Sequence, residues 1–376
     1  MMSEWRIPLY KIYYDDDDVN AVSSVIRRGM NWTGGSSVPS FEKEVAQVAH
    51  RQYAIAFNSG TSGQFAILQA LRIGKGDSVI VPSFTFISTC NTVIHTGATP
   101  VFADIEDQSY GLDPADVEKK ISDTTKAIVP VHYAGTCCRI DEIKKIADEN
   151  NIPVIEDAAE ALGSLHRGRP VGSQGIAAMF SFCGNKVVTT GEGGMVVTNE
   201  ETITESLGLL RSHGRTDQGG YFTSSESFDY VGPGHNWRMS EITAELGRSQ
   251  LRKLPLLIKK RQEVARIYED LLGDQQVICP KPSPESTHIF QMYTVRFQNK
   301  TTREAVRKRL TKARIMTKIY FDPAHLTTFY SGLGFKRGAL PVTEKVADTV
   351  LTLPIYPNMP HSDVELVCKN IREEMK

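Results

Sequence analysis

Apolar residues change between two periods along the first half of the chain, and this change predicts strands that alternate with helices. Residues 53–57 and 79–81 are apolar runs of strand length, and Phe65, Leu68 and Leu71 between them follow helical spacing. Strands that alternate with helices pair in parallel through right-handed crossovers, and almost wholly apolar strands are covered on both faces of a sheet. The pattern therefore predicts an α/β sandwich with a mostly parallel sheet of about seven strands.

A different pattern begins at residues 211–238, where glycine, serine and aspartate follow neither period. A connection of this length in a compact protein is usually functional. Helical spacing returns at Ser240 and again after Leu254, and shorter strand and helix patterns follow. We therefore predict a large domain at residues 1–254 and a smaller α+β domain at residues 255–376.

Composition narrows the classes of function. The 376-residue chain carries a formal net charge of -1, so it lacks the basic surface of a protein that binds nucleic acid or a membrane surface. Its apolar runs are shorter than a membrane-spanning helix needs, and its N-terminus lacks the pattern of a signal peptide. Six scattered cysteines form no Cys-x-x-Cys pair, which argues against disulfides and zinc and favours a cytoplasmic protein.

One acidic run, residues 15–18, has two interpretations. Its carboxylates could bind a cation, or they could lie at the N-terminus of a helix and stabilise the helix dipole. Val19, Val22 and Val25 follow at helical spacing, which favours the helix N-terminus. We therefore predict no metal site.

Three further features lie where predicted strands end, which is where α/β sheets bind ligands. Gly60, Thr61 and Ser62 open a helix, so their amides and hydroxyls could bind a phosphate or could simply cap the helix. Asp157 ends an apolar strand, and its carboxylate could hold a protonated pyridine nitrogen or cap a helix. Lys186 lies between two predicted strands, where desolvation makes an amine nucleophilic, although a Gly-rich hairpin with an exposed lysine fits the same stretch. Pyridoxal 5′-phosphate has a partner group for all three features.

A set of motifs across nearly the whole chain resembles the DegT/StrS family of sugar aminotransferases. The motifs occur in this order: Asn-Ser-Gly-Thr-Ser (58–62), Val-Pro-Ser-Phe-Thr-Phe (81–86), Gly-Ala-Thr-Pro-Val-Phe-Ala-Asp (97–104), Ile-Glu-Asp-Ala-Ala-Glu-Ala-Leu-Gly (155–163), Phe-Ser-Phe-Cys-Gly-Asn-Lys (180–186), Gly-Glu-Gly-Gly (191–194), Leu-Arg-Ser-His-Gly (210–214), Asn-Trp-Arg-Met-Ser-Glu (236–241) and Leu-Pro-Ile-Tyr-Pro (353–357). The resemblance implies fold type I, a homodimer with shared active sites, and a pyridoxal 5′-phosphate cofactor that passes through a pyridoxamine 5′-phosphate form.

The resemblance also implies roles for individual residues. Lys186 is implied to form the Schiff base with the cofactor and to act as general acid and base. Asp157 is implied to pair with the pyridine nitrogen, Phe86 to stack on the ring, and Asn236 to reach the phosphate in the neighbouring subunit. Four residues are implied to bind the phosphate within the subunit: Gly60, Thr61, Ser62 and Ser181.

Glu160 departs from the commonest pattern of the family, which has glutamine at this position. The resemblance places this residue near the cofactor's 3-oxygen, where a carboxylate that faces a phenolate must be protonated or otherwise paired. Together with Gly-Asn-Lys (184–186) and the glycine-rich stretch that follows, Glu160 makes the chain most similar to the perosamine-synthase branch. Members of that branch aminate C4 of a GDP-linked 4-keto-6-deoxy sugar.

Three residues are weaker candidates for substrate binding. Tyr320 and His325 lie in a segment that approaches the sugar-nucleotide site in relatives, yet a lone histidine there also suits packing or the surface. Arg238 could bind a substrate carboxylate or phosphate through two hydrogen bonds, or it could form an ion pair with Glu241.

The implied reaction is a two-stage transfer in which L-glutamate gives up its amino group, leaves as 2-oxoglutarate, and is replaced by a nucleotide-linked keto sugar. The product is expected to be an amino sugar for polysaccharide biosynthesis. One rival is a sugar dehydratase of the same fold, but such members carry histidine where this chain has Lys186. The other rivals are an aminotransferase for a UDP- or dTDP-linked sugar or a keto-inositol, and a non-catalytic protein that binds the cofactor as a sensor.

Overall fold

The computed structural model describes residues 5–216, 225, 227–273, 277–281 and 283–376; the start of the chain and part of the irregular 211–238 segment lie outside the described residues. The helices are α1 (Asp16–Arg27), α2 (Ser37–Val48), α3 (Gly60–Ala70), α4 (Ser88–His95), α5 (Pro114–Lys120), α6 (Ile140–Glu149), α7 (Glu201–Arg211), α8 (Glu241–Arg252), α9 (Leu254–Leu272), α10 (Lys300–Lys312), α11 (Thr328–Gly332), α12 (Pro341–Thr349) and α13 (His361–Glu374), with 3₁₀ turns at Tyr133–Gly135 and Ala324–Leu326. The strands are β1 (Tyr53–Phe57), β2 (Ser78–Pro82), β3 (Thr99–Ala103), β4 (Thr125–Ile128), β5 (Ile155–Asp157), β6 (Leu165–His166), β7 (Arg169–Pro170), β8 (Ala177–Ser181), β9 (Gly194–Thr198), β10 (Tyr293–Arg296) and β11 (Val350–Leu353). None of these helices is long and apolar enough to cross a lipid bilayer.

The central sheet is built from two groups of strands. One group has the order β1-β9-β8-β5 and the other the order β4-β2-β3, and parallel bridges at Ile128–Val154 and Val131–Asp157 join them between β5 and β4. The pairs β5–β8, β2–β3 and β2–β4 are parallel, whereas β9 runs antiparallel to both β1 and β8. The predicted α/β fold with a mostly parallel seven-stranded sheet is confirmed.

Two details of the sheet differ from the sequence pattern. The stretch at β8 and β9 forms an antiparallel pair, so the connection at residues 182–193 returns the chain beside its own strand instead of crossing over. The apolar pattern at residues 153–155 predicts a strand that includes Pro153, whereas β5 begins at Ile155, because proline has no backbone N–H to donate to a ladder. Because β5 and β8 run parallel, Asp157 at the end of β5 and Lys186 beyond the end of β8 lie at the same edge of the sheet.

Polar side chains cap the N-termini of several helices. Asp15 and Asp18 form a reciprocal capping box at the start of α1, and Asp18 also lies 2.8 Å from the ammonium group of Lys253. Ser59 caps α3 and Ser240 caps α8, each by accepting a backbone N–H from the first turn. The interpretation of the acidic run as a helix N-terminus is therefore confirmed, because its oxygens satisfy the free amides there.

Apolar side chains cover both faces of the sheet and form a separate core near the C-terminus. Val196 and Val197 are adjacent in β9 but belong to two different apolar clusters, as expected for a strand buried on both sides. Leu254 at the start of α9 packs in one of these clusters, whereas Val264 and Tyr268 further along pack with β10, β11, α10 and α13. The domain division at Leu254 stays a prediction.

Candidate active site

A cavity of about 470 Å³ lies beyond the carboxyl ends of β1, β5 and β8. The polypeptide leaves the sheet at the ends of these strands, so the polar residues that follow or end the strands face the cavity. Eight of the residues predicted for the site line its walls: Gly60, Thr61, Phe86, Asp157, Glu160, Ser181, Lys186 and Tyr320. The structure therefore brings residues from distant parts of the sequence into one enclosed space.

A second and larger depression, about 710 Å³, lies on the surface beside α10. Its charged side chains pair with carboxylates at the surface, as Lys300 does with Asp348 at 3.0 Å and Arg309 with Glu374 at 3.5 Å. It is open to solvent and lies on α10, away from the strand ends, so we assign the chemistry to the enclosed cavity.

The N-terminus of α3 forms one wall of the cavity. The Ser59 hydroxyl accepts from the Ser62 amide at 3.1 Å, and the Ser62 hydroxyl donates to Oδ1 of Asn58 at 2.7 Å and does not line the cavity. Amides in the first turn of a helix have no acceptor within the helix, so those of Gly60 and Thr61 suit an anion such as phosphate. A Cβ at position 60 would lie 2.7 Å from the sulfur of Met179, so a larger residue where α3 approaches β8 would require the Met179 side chain to shift.

Asp157 ends β5, and only 5% of its surface is exposed. Its Oδ2 accepts from the Thr89 hydroxyl at 2.8 Å, and its Oδ1 accepts from the Ala159 amide at 3.2 Å. Burial raises the pKa of the Asp157 carboxyl, and these two hydrogen bonds oppose that effect. A cation placed beside Asp157 in the cavity would stabilise its charged form, as a protonated ring nitrogen would.

Lys186 lies on the connection between β8 and β9, and its side chain is 13% exposed. Its Nζ lies 3.3 Å from Oε1 of Glu160, and Oε2 of Glu160 accepts from the Ala134 amide at 2.9 Å. The structure therefore does not place this lysine as the exposed charge of a surface hairpin. It also gives Glu160 a partner for each carboxylate oxygen, which answers how a carboxylate is held at this position.

Aromatic side chains also line the cavity. Phe86 directly precedes the turn into α4 and is 58% exposed, and its ring centroid lies 6.3 Å from that of Phe321. A flat apolar face open to a cavity suits stacking of a planar ring. Tyr320 lies beside them with the Lys318 ammonium 4.6 Å from its ring centre, and burial raises the pKa of Tyr320 to about 12.

Four of the predicted residues do not line the cavity of their own chain: Ser62, Asn236, Arg238 and His325. Asn236 is exposed and pairs with Ser212 in an isolated antiparallel bridge. Arg238 donates to the Ser212 hydroxyl at 3.2 Å, while the carboxylate of Glu241 accepts from the amide of Ser37 at 2.7 Å. The carboxylate of Glu241 thus binds the start of α2, and roles of Asn236 and Arg238 in binding stay predictions.

His325 is fully buried and does not line the cavity. Its Nδ1 lies 2.6 Å from the Ser83 hydroxyl, and its Nε2 lies 3.2 Å from Oε1 of Glu344. Because both ring nitrogens already have partners in the protein, the packing interpretation of this histidine fits its surroundings better than substrate binding does.

Sequence reasoning missed several residues that complete the site. Thr89 holds Asp157, the Ala134 amide holds Glu160, and Tyr10 and Lys318 line the cavity. Thr89 could have been found, because it lies one helical turn after Thr85 beside the Val-Pro-Ser-Phe-Thr-Phe motif. The other three have no local signal, since they reach the cavity from distant turns and strands.

The donor set in this cavity defines a class of enzyme site. A helix N-terminus suits a phosphate, a buried carboxylate suits a protonated ring nitrogen, and a lysine amine between them suits an aldehyde. These are the groups that a pyridoxal phosphate cofactor presents, so the residues fit that cofactor.

Comparisons with known proteins agree with this class. The model of the DegT/DnrJ/EryC1/StrS aminotransferase family matches residues 13–372. The chain is 38% identical to the GDP-perosamine synthase of Caulobacter vibrioides, over 89% of this chain and 88% of that protein, and 34% identical to the UDP-4-amino-4-deoxy-L-arabinose–oxoglutarate aminotransferase of Shewanella sediminis, over 99% of each. Spr1654 of Streptococcus pneumoniae, solved in a PLP-form, has a TM-score of 0.91 at 25% identity, over 99% of this chain and 98% of that one; its PMP-form has a TM-score of 0.92.

The chain belongs to the DegT/DnrJ/EryC1/StrS aminotransferase family. The predicted family, the enzyme class and the fold are confirmed, and the chain is a sugar aminotransferase of this family. The nucleotide, the sugar and the carbon that is aminated are finer points, and they belong to the proposal that follows.

Proposed function

We propose that this chain transfers an amino group from L-glutamate to a nucleotide-linked keto sugar, with pyridoxal 5′-phosphate as its cofactor. The observation that carries the proposal is one cavity that holds an amine, a buried carboxylate and a helix N-terminus, from Lys186, Asp157 and α3. The favoured acceptor is a GDP-linked 4-keto-6-deoxymannose, and the product is then a GDP-linked 4-amino sugar.

Each group in the cavity has a task in this reaction. When bound, pyridoxal 5′-phosphate supplies an aldehyde that takes up the amino group and a ring that accepts an electron pair. Asp157 would hold the proton on the ring nitrogen, and Phe86 would give the ring a flat apolar surface. The amine of Lys186 lies 3.3 Å from Glu160. It would move a proton between the substrate carbon that bears the amino group and C4′, the aldehyde carbon of the cofactor. The amides of α3 and the Ser181 hydroxyl would bind the phosphate.

The choice of substrates is supported by relatives and by Glu160. The Caulobacter relative is named for GDP-perosamine, and the Shewanella relative is named for UDP-4-amino-4-deoxy-L-arabinose and oxoglutarate. Glutamate at position 160 is the feature by which the sequence resembles the perosamine branch. A UDP-linked acceptor is the runner-up, because the Shewanella relative matches over nearly its full length.

The test is a substrate panel with purified enzyme, pyridoxal 5′-phosphate and L-glutamate. GDP-, UDP- and dTDP-linked keto sugars and a keto-inositol are compared by kcat/KM, with the amino product and 2-oxoglutarate identified by mass spectrometry. We expect the GDP-linked 4-keto sugar to exceed the others by about tenfold or more, as buried polar recognition of a base allows. Preference for a UDP-linked sugar would support the runner-up, and conversion of the keto-inositol alone would contradict the proposal.

We also propose that two copies share their active sites. Ile26, Met30 and Trp32 are 46–72% exposed in the single chain, and exposed apolar groups of this kind mark protein interfaces. Asn236 lies outside its own cavity and is exposed, which fits a side chain that acts in the neighbouring copy.

Mixed dimers test this sharing directly. Lys186→Ala and Asn236→Ala variants, each expected to be nearly inactive alone, are co-expressed with different tags and the mixed dimer is purified. If Asn236 acts in the partner's site, one site of the mixed dimer is intact and about half of the wild-type activity returns. A mixed dimer as inactive as its parents would show that Asn236 acts within its own subunit.

A further inference from the structure

We propose that Gln291 is a positioning residue that fixes the main chain directly before Lys186. The inference deepens the proposed function and rests on the role given there to Lys186. Gln291 lies just before β10, on the C-terminal side of the chain and more than a hundred residues from the lysine. Its side chain contacts the main chain at Asn185, in the connection at residues 182–193, and Gln291 is not among the residues that line the cavity.

The contact is a single short hydrogen bond. The side-chain Nε2 of Gln291 donates to the carbonyl oxygen of Asn185 at 2.7 Å. Gln291 is only 4% exposed, so water does not readily replace this bond. Within the loop, the Lys186 amide donates to the Cys183 carbonyl at 3.0 Å, whereas the Asn185 carbonyl accepts from Gln291, so this bond joins the turn to a segment outside it.

Gln291 is itself held in place from two sides. The main-chain carbonyl of Gln291 accepts from the buried guanidinium of Arg261 at 3.4 Å. Its neighbour Ile289 donates its amide to the carbonyl of Gly135 at 2.9 Å. Gly135 has a φ of +95°, and a Cβ there would lie 2.5 Å from Cγ1 of Ile289, so only glycine permits this close approach.

The same turn also holds the other end of Lys186. The amide of Ala134 donates to Oε2 of Glu160 at 2.9 Å, and Oε1 of Glu160 lies 3.3 Å from Nζ of Lys186. The amine is therefore located through Glu160 and the backbone is located through Gln291, and both connections return to the turn Tyr133–Gly135. Two attachments to one rigid turn fix where the amine lies and how it is directed.

The consequence for the reaction is geometric. A displacement of about 1 Å in a reacting group lowers a rate by about a hundredfold, because proton transfer requires close contact. Loss of the Gln291 bond frees the Asn185 carbonyl to move while Glu160 still attracts the amine. We therefore expect a loss in kcat with little change in the binding of the sugar nucleotide.

Two substitutions of similar size separate this role from simple packing. Gln291→Met removes the donor and keeps the length of the side chain. Gln291→Glu places a carboxylate against the Asn185 carbonyl, and that group becomes a donor again when it is protonated. The control is Gln250→Met, because Gln250 is 2% exposed and its Nε2 donates to the Tyr13 carbonyl at 3.0 Å, away from the cavity.

The first measurement uses the cofactor-free protein, so it does not depend on the substrate. Lys186 is labelled by reductive methylation, and its rate relative to other lysines is followed by mass spectrometry over a pH series. We expect the relative rate at Lys186 to change by about threefold or more in Gln291→Met and to match wild type in Gln250→Met. In Gln291→Glu it should return toward the wild-type rate as pH falls and the carboxyl becomes protonated.

The second measurement is turnover with the acceptor found in the substrate panel. Gln291→Met should lower kcat by about ten- to a hundredfold with KM for the sugar nucleotide within about threefold, whereas Gln250→Met should keep both. Equal labelling and equal kcat in the two methionine variants would overturn the proposal. Altered labelling without any acceptor that reacts would leave the positioning role standing and count against the proposed function.

Discussion

Two clusters of hydrogen-bonded polar side chains can be compared in this protein, of which one lines the cavity and the other does not. The open cluster is Asp157, Glu160 and Lys186, and the sealed cluster is Ser83, His325 and Glu344. In the sealed cluster the Ser83 hydroxyl lies 2.6 Å from one ring nitrogen of His325, and Glu344 lies 3.2 Å from the other.

The difference shows that residue types alone do not identify a reactive site. Serine, histidine and a carboxylate are the components of hydrolytic triads, yet Ser83 and His325 are fully buried. The Ser83 hydroxyl also accepts from the main-chain amide of His325 at 3.0 Å, and the main-chain carbonyl of Ser83 accepts from the amide of Ala324 at 2.8 Å. The sealed cluster therefore fastens the Ala324–Leu326 turn to the loop before α4, while the open cluster can meet a substrate.

The largest expected effect is the loss of the amine in the open cluster. Lys186→Ala should abolish turnover and the visible absorbance of the bound cofactor, because the nucleophile and the proton carrier are both removed. Lys186→Arg, which keeps a positive charge beside Glu160, should be equally inactive. A yellow and active alanine variant would contradict the role proposed for Lys186.

Removal of the charge on Asp157 should have the next largest effect. Asp157→Asn keeps the size of the side chain but cannot stabilise a protonated ring nitrogen, so kcat should fall by about 10²–10³-fold, as for other buried electrostatic contacts. Asp157→Glu keeps the charge and should retain more activity. Equal kcat values for the asparagine variant and wild type, measured under saturating substrates, would argue against an electrostatic role.

The sealed cluster should respond in stability rather than in turnover. His325→Ala removes one hydrogen bond from each of two buried partners, Ser83 and Glu344, and empties the space of a buried ring, so it should lower the free energy of unfolding by about 2–4 kcal/mol. Its kcat, measured well below the melting temperature, should stay within about tenfold of wild type. A fall in kcat as large as that of Asp157→Asn, without a loss of thermal stability, would place His325 in the chemistry instead.

The smallest effect is a change in how stability depends on pH. Burial lowers the pKa of His325, and the Glu344 carboxylate opposes this. The unfolded chain takes up a proton on this ring near pH 6.5 and the folded protein only at lower pH, so the unfolded state binds more protons below pH 6.5. The stability from this group is thus complete above pH 6.5 and is lost as pH falls toward the folded pKa. The melting temperature of His325→Gln should fall less steeply than that of wild type as pH is lowered over that range. The same dependence of melting temperature on pH in both proteins would exclude this contribution.

Local patterns in the sequence determined the order of strands and helices and the three features at strand ends. Apolar spacing marks the buried faces, and turn residues such as those before α3 satisfy the amides of their own helix, so both are visible without the fold. The acidic run at residues 15–18 and the motifs that carry Lys186 and Asp157 are also local patterns, so they are visible in the sequence alone.

Only the tertiary structure decided which of these residues meet and which are sealed. Glu160 is paired by the Ala134 amide, and the Asn185 carbonyl is held by Gln291 from more than a hundred residues away. The sequence leaves His325 open between substrate binding and packing, and only the structure shows its ring directed to Ser83. Such contacts depend on how elements pack across long sequence separations, and the spacing of residues along one element carries no information about them.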